Sequence, residues 1–135
     1  MQAAVVDTDT LSEVIKGRDA RVQRHAAVYL ATFGRFTFSI ITRYEILRGL
    51  QARQAARQIQ AFDARCQQST ILALTDSVVV MAAQLYGDLA RRGAFISDAD
   101  IMIVATALVN GLVLVTENTA HFQRISGLTI DSWRR

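Results

Sequence analysis

The sequence predicts an α/β fold: a three-layer α/β/α sandwich around a central, mainly parallel sheet of four to five strands, in a single domain covering residues 1–135. Short apolar runs alternate along the chain with longer stretches of helical periodicity, which is the pattern of repeated βα units. One run, Leu-Val-Leu-Val at 112–115, is apolar at every position, as a strand covered on both faces must be. Ser/Thr-x-x-acid signals mark helix starts and glycines mark helix ends, in a chain that has no proline to do so.

Each element has its own signal. Residues 2–6, QAAVV, form an apolar run closed by Asp7 and give the first strand. A helix is predicted from Thr10 or Leu11 to Lys16, stopped at Gly17. Residues 19–33 follow as a second helix with Val22, Ala26, Tyr29 and Leu30 turned inward. FTFSI at 36–40 reads as the second strand, and Thr42 opens a helix reaching Gly49 or beyond. Ala52, Ala56, Ile59, Phe62 and Cys66 recur at helical spacing over 52–67. TILAL at 70–74 is the third strand, followed by a long helix from Asp76 to Arg92 that Gly93 ends. Asp98 to Asn110 is the next helix and 112–115 the fourth strand. HFQRI at 121–125 gives a helical turn, and LTI at 128–130 an edge strand.

Composition narrows the function classes. Hydrophobic residues make up 51% of the chain, ample for one core. The formal charge of +3 comes from 14 arginines and one lysine, Lys16, against 12 acids, and arginine's planar fork suits a polyanionic partner. Cys66 is the only cysteine, which excludes an internal disulfide and any multi-cysteine zinc site. Residues 101–115 fall short of a membrane span and are broken by Asn110-Gly111, and the N-terminus carries no secretory leader, so the expected location is the cytoplasm.

The acids are the informative residues. In a parallel sheet every strand ends on one edge, and ligands bind in the crevice outside that edge. Asp7 follows the first strand, Glu45 lies in the helix after the second, and Glu117 and Asn118 follow the fourth. The helix carrying Asp98 and Asp100 precedes its strand through the tight Asn110-Gly111 turn, so it runs antiparallel to that strand and its N-terminus returns to the same edge. Thr10–Glu13, Thr42–Glu45 and Ser97–Asp100 each match a capping box, and capping alone accounts for Glu13. For the others it is too weak. Two carboxylates ~5 Å apart repel by ~3 kcal/mol at an effective dielectric of 20. A helix N-terminus returns only ~0.3 to 1 kcal/mol per acid. Such a cluster therefore needs a raised pKa or a hard divalent cation, and oxygen donors point to Mg²⁺ or Mn²⁺. A cation there suits phosphoester hydrolysis by a bound water. His25 sits mid-helix among arginines and His121 nearer the acids, and neither is needed as a general base.

VVDTDTLSEVI, SIITRYEILRG and SDADIMIVATALVNGLVLVTENTAHFQRISGL resemble, in order and over nearly the whole chain, the PIN-domain ribonucleases, specifically the VapC toxins of type II toxin-antitoxin pairs. The resemblance implies a PIN-like sandwich with family acids at Asp7, Glu45 and Asp100. Asp98 falls at a position that is often acidic, and Asn118 stands where aspartate is common, which weakens the case for a second metal. Glu117 is a candidate to compensate, and Thr8 and Thr116 match supporting hydroxyls. It also implies a Mg²⁺- or Mn²⁺-dependent endoribonuclease, a homodimer, neutralised by a small VapB-like antitoxin. Two alternatives stand beside it. The Asp-x-Asp of DTDT resembles the opening of haloacid-dehalogenase-type phosphatases, although Leu11 stands where that motif wants Thr or Val. A non-catalytic α/β binding module would use the acids only as caps.

Overall fold

The computed structural model describes residues 1–135. In chain order the elements are β1 (Ala4–Val6), α1 (Thr8–Lys16), α2 (Ala20–Phe33), β2 (Thr37–Ser39), α3 (Ile40–Ala52), α4 (Ala56–Gln67), β3 (Thr70–Leu72), α5 (Asp76–Arg91), α6 (Asp98–Val109), β4 (Val113–Val115), α7 (Thr119–Phe122) and β5 (Ile130–Asp131). β1 pairs in parallel with β4, Val5 opposite Leu114, and β4 pairs in parallel with β5. β2 pairs in parallel with β3, Phe38 opposite Ile71. β2 packs beside β1, so the strands stand in the order β3-β2-β1-β4-β5.

The sheet is nevertheless not one ladder, because no strand pairing joins β1 to β2. The backbone shows why. Ala3 and Asp7 bond across to β4, through Val113 N–H to Ala3 O at 3.2 Å and Asp7 N–H to Val115 O at 3.0 Å. Alternation then turns Ala4 toward β2. There the Tyr29 hydroxyl takes both of its groups, accepting from Ala4 N–H at 3.1 Å and donating to Ala4 O at 3.2 Å. A side chain thus satisfies backbone that a ladder would otherwise satisfy.

Alternation also assigns each strand residue to a layer. Ala4, Val6, Phe38 and Val115 share one core with Leu11 and Val14 of α1, Val22, Ala26 and Tyr29 of α2, and Phe62 of α4. Val5 and Leu114 point into a second core with Ile103, Val104 and Ala107 of α6 and with Phe122 and Ile125. α5 lies outside α6, seating Val78, Ala82 and Leu89 against Ile101 and Ala105. The expected three layers are therefore present. Trp133, 1% exposed, closes the first core from the C-terminal end against Tyr29 and Phe36, at ring-centroid distances of 5.7 and 6.1 Å. No helix is long and apolar enough to cross a membrane.

Several boundaries differ from the sequence reading. α1 begins at Thr8 because Asp7 is itself the cap, its Oδ1 accepting Thr10 N–H at 2.9 Å. α3 begins at Ile40 on Ser39, whose hydroxyl accepts Ile41 N–H, which leaves Thr42 inside the helix and buried. Of the three capping boxes, only that at Ser97 supplies its cap, accepting Asp100 N–H at 3.2 Å. Ala52 closes α3 instead of opening α4. Leu30 is 40% exposed and does not face the core, since Val22, Ala26 and Tyr29 already fill that stripe of α2.

Candidate active site

The carboxyl edge of the sheet gathers the starts of α1, α3 and α6 and the turn after β4. Asp7 is the most buried of the acids, at 8% exposure. Burial is the main influence on its carboxyl and raises the pKa from 3.8 to about 6, against the lowering effects of the Thr116 hydroxyl and the Thr10 N–H. Thr8, the next residue, donates its hydroxyl to Glu45 Oε1 at 2.6 Å and lies 3.0 Å from Thr42 Oγ1. That pair of contacts ties the start of α1 to α3. Glu45 also has Arg48 3.7 Å from its other oxygen.

Asp100 approaches from α6. Its pKa is raised, first by burial, then by the charges of Glu45 and Asp9, with Ser97 and His121 acting the other way. Asn110-Gly111 brings this about as expected: Gly111 takes φ +65°, which reverses the chain into β4 and sends the start of α6 back to the crevice. Thr116 is buried, and its Oγ1 accepts Asn118 N–H at 3.0 Å, which sets the turn after β4. The Asn118 side chain is exposed and makes no capping bond to α7.

Three predicted or overlooked residues need separate treatment. Asp98 does not join the others. It lies two residues from Asp100, ~200° around a helix, and lines a shallow hollow of α5 and α6 with Val79, Tyr86 and Met102. Glu117 is likewise committed elsewhere: Oε2 accepts the Ser132 hydroxyl at 2.8 Å and Oε1 accepts Trp133 N–H at 3.1 Å. It anchors the C-terminal segment and does not compensate for Asn118. Asp9 is the acid the sequence reading missed as part of the cluster. It is exposed in the first turn of α1, and its charge raises the pKa of both Asp7 and Asp100. The signal was its spacing, two residues after an acid that caps the same helix.

The cluster is looser than the sequence argument required. No three His, Cys, Asp or Glu side chains stand close enough to form a ready-made ion cage. Each acid has found its own neutral donor or cation instead: Asp7 the Thr10 amide, Glu45 the Thr8 hydroxyl and Arg48, Asp100 the Ser97 side chain. The donors are carboxylate and hydroxyl oxygens with no thiol, a set that fits a hard divalent cation. The raised pKa values of Asp7 and Asp100 mark carboxylates that an added cation would favour in the charged form. The Thr8 contact is a simple check on the geometry. Thr8→Val is expected to lower stability by about 1–2 kcal/mol in urea unfolding, with Thr8→Ser close to wild type, because only the hydroxyl carries the bond to Glu45.

Fold and crevice together define a doubly covered parallel α/β domain with an acidic cluster at the carboxyl edge of its sheet. Residues 4–128 match the model of the PIN domain family, and the chain belongs to that family. It is 28% identical over 121 residues to Ribonuclease VapC1 of Methanocaldococcus jannaschii, covering 90% of this chain and 79% of that one. It is 26% identical over 130 residues to the tRNA(fMet)-specific endonuclease VapC of Shigella flexneri, covering 96% of each. Among solved structures it superposes on DNA-bound VapBC from Salmonella typhimurium with a TM-score of 0.86 at 26% identity, covering 98% of this chain and 99% of that one.

Proposed function

We propose that this protein is an endoribonuclease that hydrolyses RNA phosphodiester bonds with Mg²⁺ or Mn²⁺, and that it is the toxin of a type II toxin-antitoxin pair. The observation that carries the reading is the convergence of Asp7, Glu45 and Asp100 from three distant segments on one sheet edge, two of them with raised pKa values. Similarity to proteins named as ribonucleases supplies the substrate class. PIN membership leaves the dehalogenase-type phosphatase without support.

Asp7, Glu45 and Asp100 would hold the cation, which when bound supplies an acidified water and charge neutralisation for the departing oxygen. Asp7 is fixed by its role as the α1 cap and by Thr116. Glu45 is presented by Thr8, and Arg48 beside it stands ready to take a phosphate oxygen. The exposed Asn118 amide orients a water at the crevice mouth. The partner is a VapB-like antitoxin, as in the VapBC complexes that this fold superposes on. We further propose a cytoplasmic homodimer as the working unit.

Total RNA incubated with purified protein should yield discrete fragments with Mg²⁺ or Mn²⁺ and none after chelation. Intact RNA under every metal condition would leave the binding-module reading in its place.

A further inference from the structure

A groove of about 510 Å³ opens from the crevice between α1, α3 and α4, with Glu45 at its inner end. Its walls carry Lys16, Arg53 and Arg65 over a floor that includes Leu50 and Phe62. None of these three cations makes an ion pair within the chain. Glu45 is the only acid in the lining, and it is already engaged by Thr8 and Arg48.

We propose that this groove is the track for the RNA strand flanking the scissile phosphate, with Lys16, Arg53 and Arg65 gripping its phosphates. The inference rests on the ribonuclease reading and adds the route by which substrate reaches the acids. An acidic crevice repels a polyanion, so the attraction that delivers RNA must come from cations beside the crevice and not from within it. α1 and α3 both start at the carboxyl edge and run away from it. Thr8 to Lys16 and Glu45 to Arg53 each span eight residues, ~12 Å along a helix. Two helices therefore place a cation at about the same distance from the acids, which suits one backbone phosphate of the strand gripped from both walls of the groove. Half-buried Ile46 and Leu50 give the sugars and bases an apolar surface. A protein segment would also find apolar floor here, but three unpaired cations against one engaged acid favour a polyanion.

The test is binding of bulk transfer RNA in chelator, where nothing is cut, across a salt series. The variant Lys16→Ala/Arg53→Ala/Arg65→Ala is compared with Arg24→Ala/Arg35→Ala/Arg91→Ala, which removes the same charge from outside the groove. The groove variant should lose tenfold or more in affinity near physiological salt and reduce the slope of log K against log salt by about two. The control should change that slope by less than half as much. Equal losses in the two variants, or wild-type RNA affinity in the groove variant, overturn the proposal and leave the groove to a protein partner. Melting temperatures of both variants confirm that the fold is intact. Cleavage by wild type with Mn²⁺ is scored separately. RNA bound through the groove but never cut sinks the ribonuclease reading alone, and cutting by a groove variant of undiminished affinity sinks the groove alone.

Discussion

Asp7→Asn is expected to abolish RNA cleavage while making the metal-free protein more stable at neutral pH. Both halves follow from one buried carboxyl. With its pKa raised from 3.8 to about 6, Asp7 keeps its proton in the folded chain over a range where the unfolded chain has lost it. Stability therefore falls as pH rises through that window, by about 3 kcal/mol in all, and is undiminished by this residue below it. Asparagine caps a helix as well as aspartate does and never ionises. At pH 7 the variant should therefore gain about 2–3 kcal/mol, a rise in Tm of roughly 5–10 °C, and the gain should vanish near pH 3, below the pKa of the unfolded chain. Asp100 contributes in the same direction, since its pKa is also raised. Saturating Mn²⁺ should erase that lead by stabilising wild type, by about 3 kcal/mol at a hundredfold excess over Kd, and leaving the variant unmoved. Loss of an outer-shell partner of a metal site costs ~10–100-fold, so loss of a ligand should cost cleavage at least about a hundredfold. A variant that melts below wild type at pH 7 would show that the Asp7 charge is already satisfied. A variant that cuts RNA at the wild-type rate would remove Asp7 from the site.

The sheet edge was readable because it follows from chain direction. Once QAAVV, FTFSI and LVLV are parallel strands, Asp7, the helix bearing Glu45 and the turn after Val115 must share an edge, and the glycine turn at 111 adds Asp100 to it. Rotation about a helix axis and the destination of a flexible side chain do not follow from direction. Asp98 has the same sequence neighbourhood as Asp100 yet sits with α5, because two residues of helix turn it to about the opposite side. The break between β1 and β2 was invisible for a related reason: it depends on a phenol of α2, residue 29, reaching the backbone of residue 4. Thr42 matched a cap motif, but Ser39 three residues earlier had already started the helix, and the hydroxyl of Thr42 was freed to meet Thr8. Local signals located the elements, whereas long-range hydrogen bonds decided what the side chains did with them.

Glu117 is where position in the chain and role in the fold part most clearly, and Glu117→Ala should separate them. The residue follows β4 at the correct edge, yet its two oxygens receive the Ser132 hydroxyl at 2.8 Å and the Trp133 amide at 3.1 Å, with Arg134 Nε 4.0 Å away. Ser132 and Trp133 are both buried, so removing the carboxylate leaves their donors without a partner inside the protein. The expected loss is about 2–4 kcal/mol in urea unfolding, with Glu117→Gln recovering part of it because one acceptor oxygen remains. Part of that cost runs through Trp133, whose ring packs with Tyr29 and Phe36 only while the segment after β5 is held in. Tyr29 in turn occupies the Ala4 backbone, so a loosened C-terminus should speed hydrogen exchange at Ala4 before it reaches α5 and α6, which belong to the other side of the sheet. RNA cleavage, measured where the variant is still folded, should stay within about threefold of wild type, since both oxygens of the residue are turned to the C-terminal segment. A hundredfold loss of cleavage with unchanged unfolding would return Glu117 to the acidic cluster and require another anchor for the C-terminal segment.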